Sequence, residues 1–204
     1  PAPDGSRPGI YWLNLRDTAL HPKFGLPTLS FHEAIPGHHM QGATNVEQDL
    51  PPIVWAIWSN AAGEGWALYA EQLAAEMGMY DDDPFGDLGR LQAELHRAVR
   101  LVVDTGMHAM RWSREQAIEY MIDAEGLEES TAVSEIERYA VWPGQALGYK
   151  LGMLKILELR EEAQARLGDR FDIREFNDTV LLVAATPLPY IEATVREWIE
   201  QHDM

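Results

Sequence analysis

The rhythm of apolar and polar positions changes near residue 29. Residues 1–28 are rich in Pro and Gly, and within them "GIYWLNL" (9–15) has the aromatic and aliphatic content of a short strand. From 29 onward apolar positions recur at helical spacing, and the chain reads as helix after helix. The first helix is "TLSFHEAIPGHHMQGATNVEQ" (28–48), interrupted at Pro36-Gly37. "IVWAIWSNAAGEGWALYAEQLAAEMG" (53–78) contains the second, with Gly78 suited to a C-cap. Trp55, Trp58 and Trp66 recur at helical spacing there and are expected in the core. "DDDPF" then places acids and a proline ahead of a long helix over 84–110. Ser113 is a good N-cap for the next, with Gln116 completing a capping box. Further helices are expected around 130–141, 143–166, 172–184 and 187–202. The expectation is one all-α domain over 1–204 with a short extended segment near the N-terminus.

Composition narrows the chemistry. The 204 residues carry 16 Lys+Arg against 33 Asp+Glu, a net charge of −17, which repels phosphate backbones and argues against nucleic acid as a partner. No apolar run approaches about 18 residues, so no membrane span is expected. With no cysteine there is no thiolate, and a metal must be held by His, Asp or Glu.

Three of the seven histidines, His32, His38 and His39, fall in "LSFHEAIPGHHMQG" (29–42) beside Glu33. In the zinc-peptidase pattern H-E-x-x-H the histidines sit one turn apart on one helical face, and the Glu takes a proton from the zinc-activated water. Here position 36 is proline. On a straight helix His38 lies about 120° off the face of His32, and His39 lies about 10.5 Å along the axis. A regular helix therefore fails for either. Pro36-Gly37 can form a bulge that absorbs two residues and returns His38 toward His32, or it can simply end a helix with no metal. "NAAGEGWALYAE" offers Glu64 as a third ligand. It lies between two glycines, as suits close approach to a ligand or another backbone. Glu71, two turns on, is better placed to orient a ligand.

With these pieces, and with "GEGWALYAEQL", "RLVVDTGMHAMRWSREQAIEYM" and "RYAVWPGQALGYKLG", nearly the whole chain resembles the C-terminal half of a bacterial family of unknown function that carries "HEAxPGHHxQ". That family is grouped with the gluzincin metallopeptidases: Taq-type carboxypeptidases, then thimet oligopeptidase and angiotensin-converting enzyme. The resemblance implies a gluzincin-like helical catalytic half, Zn²⁺ held by His32, His38 and Glu64, Glu33 as general base, and a peptide substrate. His39 then falls beside the ligands or in the packing. Where Taq-type enzymes carry a tyrosine that supports the transition state, this chain has Gln145, which leaves Tyr149, Tyr139 or His108 to assist. Two rival readings are a metal-dependent hydrolase of another amide and a retired peptidase fold that binds a peptide or partner.

Four further expectations complete the reading. Arg100 and Asp104 are spaced for an ion pair, and Asp104 can orient His108 one turn on. Arg138 and Tyr139 precede the Trp-Pro-Gly break, where side chains can face a cleft. Substrate is expected to pair along the 9–15 strand by edge addition. The catalytic half is expected to work inside a longer chain or against a second copy.

Overall fold

The computed structural model describes all residues except Pro1, Pro3, Arg16, Ala19, Leu20, Asp49, Met204 and the Trp55 side chain. Among the described residues the protein is all-α, with no strand. The helices are α1 (Leu26–Glu33), α2 (His38–Glu47), α3 (Pro52–Ala56), α4 (Asn60–Glu76) and α5 (Pro84–His108), then α6 (Arg114–Glu125), α7 (Glu129–Val141), α8 (Gly148–Leu167), α9 (Ile173–Leu181) and α10 (Leu188–His202).

Local chemistry explains most of the boundaries. Ser59 caps α4 by accepting from the Ala62 amide, and Gly78, at φ +81°, follows its end. Asp83 caps α5 by accepting from the Gly86 amide, with Pro84 in the first turn. The expected capping box forms: Ser113 Oγ accepts from the Gln116 amide at 3.1 Å, and Gln116 Oε1 accepts from the Ser113 amide at 2.8 Å.

Three expectations are corrected. Residues 8–15 have no regular structure and leave Ile10, Trp12 and Leu15 exposed. Strand-forming residues stay irregular where no second strand offers backbone partners. The expected second helix is two helices, α3 and α4, with residues 57–59 outside both. That break takes Trp58 off the face of Trp66, so Trp66 is buried at 1% exposure while Trp58 remains 56% exposed; the Trp55 side chain lies outside the described residues. Finally, 143–166 does not run as one helix, because a 3-10 turn over Gln145–Leu147 precedes α8.

Two cores hold these helices together. The first is built by α4, α8, α9 and α10 around Trp66, Leu68, Tyr69, Met153, Ile156, Phe176, Ile191 and Val195. Its centre is the α4–α8 crossing, which carries two glycines for a reason. A Cβ on Gly65 would lie 2.4 Å from the Gly152 Cα, and one on Gly152 would lie 1.9 Å from the Ala61 carbonyl oxygen. The second core joins α5, α6 and α7 through Val99, Val103, Met121 and Ile136. α1 and α2 pack on α4 and place the "HEAIPGHH" stretch over its first half.

Candidate metal centre

The sequence around Pro36 builds the expected bulge: the His39 and Met40 amides both bond back to the Ala34 carbonyl, at 3.1 and 3.3 Å, so the helical ladder resumes with two residues absorbed. α1 ends at Glu33, residues 34–37 turn, and α2 starts at His38. The Ile35–Pro36 bond is cis. The turn folds back so closely that a Cβ on Gly37 would lie 1.9 Å from the His32 carbonyl oxygen, so glycine is required here for space. The Trp66 indole of α4 donates to the Pro36 carbonyl at 2.9 Å and ties the bulge down.

The bulge brings together what the helical wheel kept apart. The His32 and His38 rings meet edge to face with centroids 4.9 Å apart. Glu64 Oε2, from the first turns of α4, lies 3.1 Å from His38 Nε2 and 3.6 Å from His32 Nε2. One ligand atom from each of the three residues falls within 4.8 Å of the others, the one such group found among the described residues. Ligands about 2.0–2.1 Å from a tetrahedral zinc sit roughly 3.3 Å apart, so this donor set fits the ion. His39 is not in the group; it is exposed rather than packed, and it lines a cleft beside His38 and Glu33.

The outward nitrogens of both histidines are occupied. His32 Nδ1 bonds Glu71 Oε1 at 2.7 Å, and Glu71 is 2% exposed. His38 Nδ1 bonds Gln41 Oε1 at 3.3 Å, and Gln41 is fully buried. An acceptor on Nδ1 keeps the proton there and leaves the Nε2 lone pair free toward the shared point. The three side chains are also coupled electrostatically. Burial on its own favours neutral Glu64, but hydrogen bonds from His32 and His38 hold its carboxyl far below the carboxylate range. Burial likewise disfavours charged His32, yet the Glu64 and Glu71 bonds keep its pKa above the ordinary value.

A polar rim surrounds the three ligands. Gln145 Nε2 lies 3.1 Å from Asn60 Oδ1, 3.3 Å from the Tyr149 hydroxyl and 3.5 Å from Glu64 Oε1. The Tyr149 ring stacks near His32, with centroids 6.2 Å apart. Arg138 donates to Gln145 Oε1 at 3.0 Å and to the Tyr149 hydroxyl at 3.4 Å. On another side, Glu33, His38 and His39 line a cleft of about 370 Å³ with Gly9, Ile10 and Tyr11. The 9–15 segment thus reaches the site, but with no strand edge for a substrate to pair with.

Three expected residues are not brought to the cluster. The Tyr139 hydroxyl donates to Glu135 at 2.6 Å and accepts from Arg100 at 2.9 Å, and its ring belongs to the second core. Arg100 pairs with Glu135 at 2.6 Å in place of Asp104, since α7 supplies a carboxylate that the helical spacing could not reveal. Asp104 accepts from the Gly144 amide at 3.0 and 3.2 Å and so does not orient His108. His108 is exposed and bonds the Tyr139 carbonyl at 3.1 Å. Reading from sequence missed Gln41, three residues after His38, and Asn60, four before Glu64. Helical spacing from a known ligand was the signal in both cases.

Comparison with known proteins places the chain in a family. Residues 1–195 match the family described as bacterial protein of unknown function (DUF885), and the chain belongs to it. No curated protein matches. Among solved structures, one from Colwellia psychrerythraea, described as a "putative lipoprotein", is 63% identical with a TM-score of 0.95 over 98% of this chain. One from Shewanella oneidensis, described as a "putative lipoprotein of unknown function", is 28% identical with a TM-score of 0.79 over 85%. This chain covers 34% and 32% of those chains, about a third of their length.

Proposed function

We propose that this DUF885 chain carries the zinc site of a gluzincin-like peptide hydrolase. The observation that carries the reading is the convergence of His32 Nε2, His38 Nε2 and Glu64 Oε2, with each histidine's other nitrogen already capped. An arrangement built only to pack would have no need to aim two lone pairs and a carboxylate at one point. In this reading His32, His38 and Glu64 hold one Zn²⁺, and the fourth position is left open. When bound, the ion polarises a carbonyl and lowers the pKa of its water to about 7.

The chain's own residues supply the rest. In this reading Glu33, which ends α1 next to His32 and lines the cleft with His38, takes a proton from the attacking water and passes it to the leaving amine. Tyr149 is the phenol placed at the rim, and together with the Gln145 amide it is available to steady charge on the carbonyl oxygen. Tyr139 and His108, bonded elsewhere, are left out of the chemistry.

Metal analysis and a peptide-library digest test the proposal together. Wild type should hold one zinc and cleave peptides. His32→Ala should lose stoichiometric zinc, while His96→Ala should keep it. Glu33→Gln should keep zinc and lose hydrolysis by at least about a hundredfold. Zinc with no cleavage in wild type would favour a retired, peptide-binding fold, and unchanged zinc in His32→Ala would end the reading.

A further inference from the structure

We propose that Arg138 binds the free C-terminal carboxylate of the peptide, so that the site removes single residues from the C-terminus; this rests on the peptidase reading above. Three arginines gather near the Tyr149 ring, but they are not equivalent. Arg100 is buried, with 6% side-chain exposure, and is occupied by Glu135 and Tyr139. Arg97 is 15% exposed, donates to the Ala93 carbonyl at 3.2 Å and lies 3.9 Å from Glu71. Arg138 is 33% exposed, and it pairs only loosely with Glu135, whose Oε1 lies 3.7 Å away. Glu135 already serves Arg100 and Tyr139 through its other oxygen. Arg138 therefore keeps an open, weakly compensated cation at the metal-site rim, in a chain whose net charge of −17 repels anions elsewhere.

Its position is fixed from both sides. Asp104 holds the Gly144 amide, at φ +80°, and so pins the turn between α7 and the Gln145 segment. Gln145 then bridges the two groups that matter, with Nε2 3.5 Å from Glu64 Oε1 and Oε1 accepting from Arg138 at 3.0 Å. These two contacts place the guanidinium within roughly 9 Å of Glu64 Oε1. A scissile carbonyl carbon and the C-terminal carboxyl carbon are three bonds apart, at most about 4 Å, and each further residue adds about 3.8 Å. One residue and a hydrogen bond of about 2.8 Å reach about 6.8 Å, and a metal–oxygen bond of about 2 Å between Glu64 and the substrate would account for the remainder. A planar guanidinium can also take both carboxylate oxygens.

The probe is a fluorescein-labelled pentapeptide made as free acid and as C-terminal amide. Its binding to the zinc-loaded Glu33→Gln protein is read by anisotropy, without turnover. The acid should bind on the order of tenfold tighter than the amide. Arg138→Met should bring the acid to the amide's affinity and leave the amide unchanged, and Arg138→Lys should recover part of the difference. Zinc content and thermal unfolding of each variant check that the site is intact. Equal affinities with Arg138 present, or a preference that survives Arg138→Met, would overturn the inference. Hydrolysis by wild type separates it from its premise. No cleavage of either peptide defeats the peptidase reading, whereas cleavage of acid and amide at equal rates defeats only the role of Arg138.

Discussion

His32 is gripped from both ends, and the partner behind it tunes what the nitrogen in front can do. Glu71 Oε1 sits 2.7 Å from Nδ1 in a buried setting, and a buried charge on that acceptor raises the basicity of Nε2. Glu71→Gln retains an acceptor but removes the charge. It should weaken zinc binding by about ten- to a hundredfold while leaving one site at saturating zinc. Competition against a chromogenic chelator measures this, and unchanged affinity would reduce Glu71 to a packing residue. Glu71 was legible from sequence because its seven-residue spacing from Glu64 returns to the same helical face. The partner of Arg100 was not. Spacing along α5 offers Asp104, and only the docking of α7 reveals that Glu135 is nearer. Local patterns identify residues that share an element, and they are silent on charges delivered by another one.

At the scale of elements, two contacts carry weight. The α4–α8 crossing depends on Gly65 and Gly152, so Gly65→Ala or Gly152→Ala should push these helices apart and destabilise the protein by about 1–3 kcal/mol. Denaturant unfolding would show it, with a loss of zinc affinity alongside because Glu64 adjoins the contact. Of the two glycines flanking Glu64, Gly65 marks the expected close approach of another backbone, whereas Gly63 makes room for the Trp58 ring, which would lie 2.3 Å from a Cβ there. The α5–α7 contact depends on Glu135. Burial alone raises its pKa, but His96, Arg100 and Tyr139 hold it far below the ordinary 4.5. A depressed carboxyl stabilises the fold above its unfolded pKa and loses that contribution as pH falls through its folded value. Glu135→Gln should cost about 3 kcal/mol at pH 7, and the deficit should shrink as pH drops below about 4.5. A deficit independent of pH in urea titrations would mean that charge is not what Glu135 contributes. The helix starts at Ser59, Asp83 and Ser113 all have capping side chains, yet apolar rhythm alone runs through 57–59 because "IVWAIW" is apolar on every face.

At the scale of the whole molecule, the metal site is separate from what holds the fold. Both cores are made of apolar side chains on α4 to α10, and neither includes His32, His38 or Glu64. The three ligands instead join α1, α2 and α4. Chelation should therefore loosen the α1–α2 junction without unfolding the molecule. It should also leave a protonated His32 between Glu64 and Glu71 where the metal had been. Free zinc at about a hundred times its Kd adds about 2.7 kcal/mol to a fold that alone binds it. For a chain of this size each kcal/mol moves Tm by about 2–4 °C, so removal of zinc should lower Tm by roughly 5–11 °C. The far-UV helical signal at 25 °C should stay unchanged. His32→Ala should start from the lower Tm and gain nothing from added zinc. Collapse of the helical signal on chelation would show that the α1–α2 junction helps hold the cores. Indifference of wild-type Tm to zinc would show that the three side chains converge without binding it.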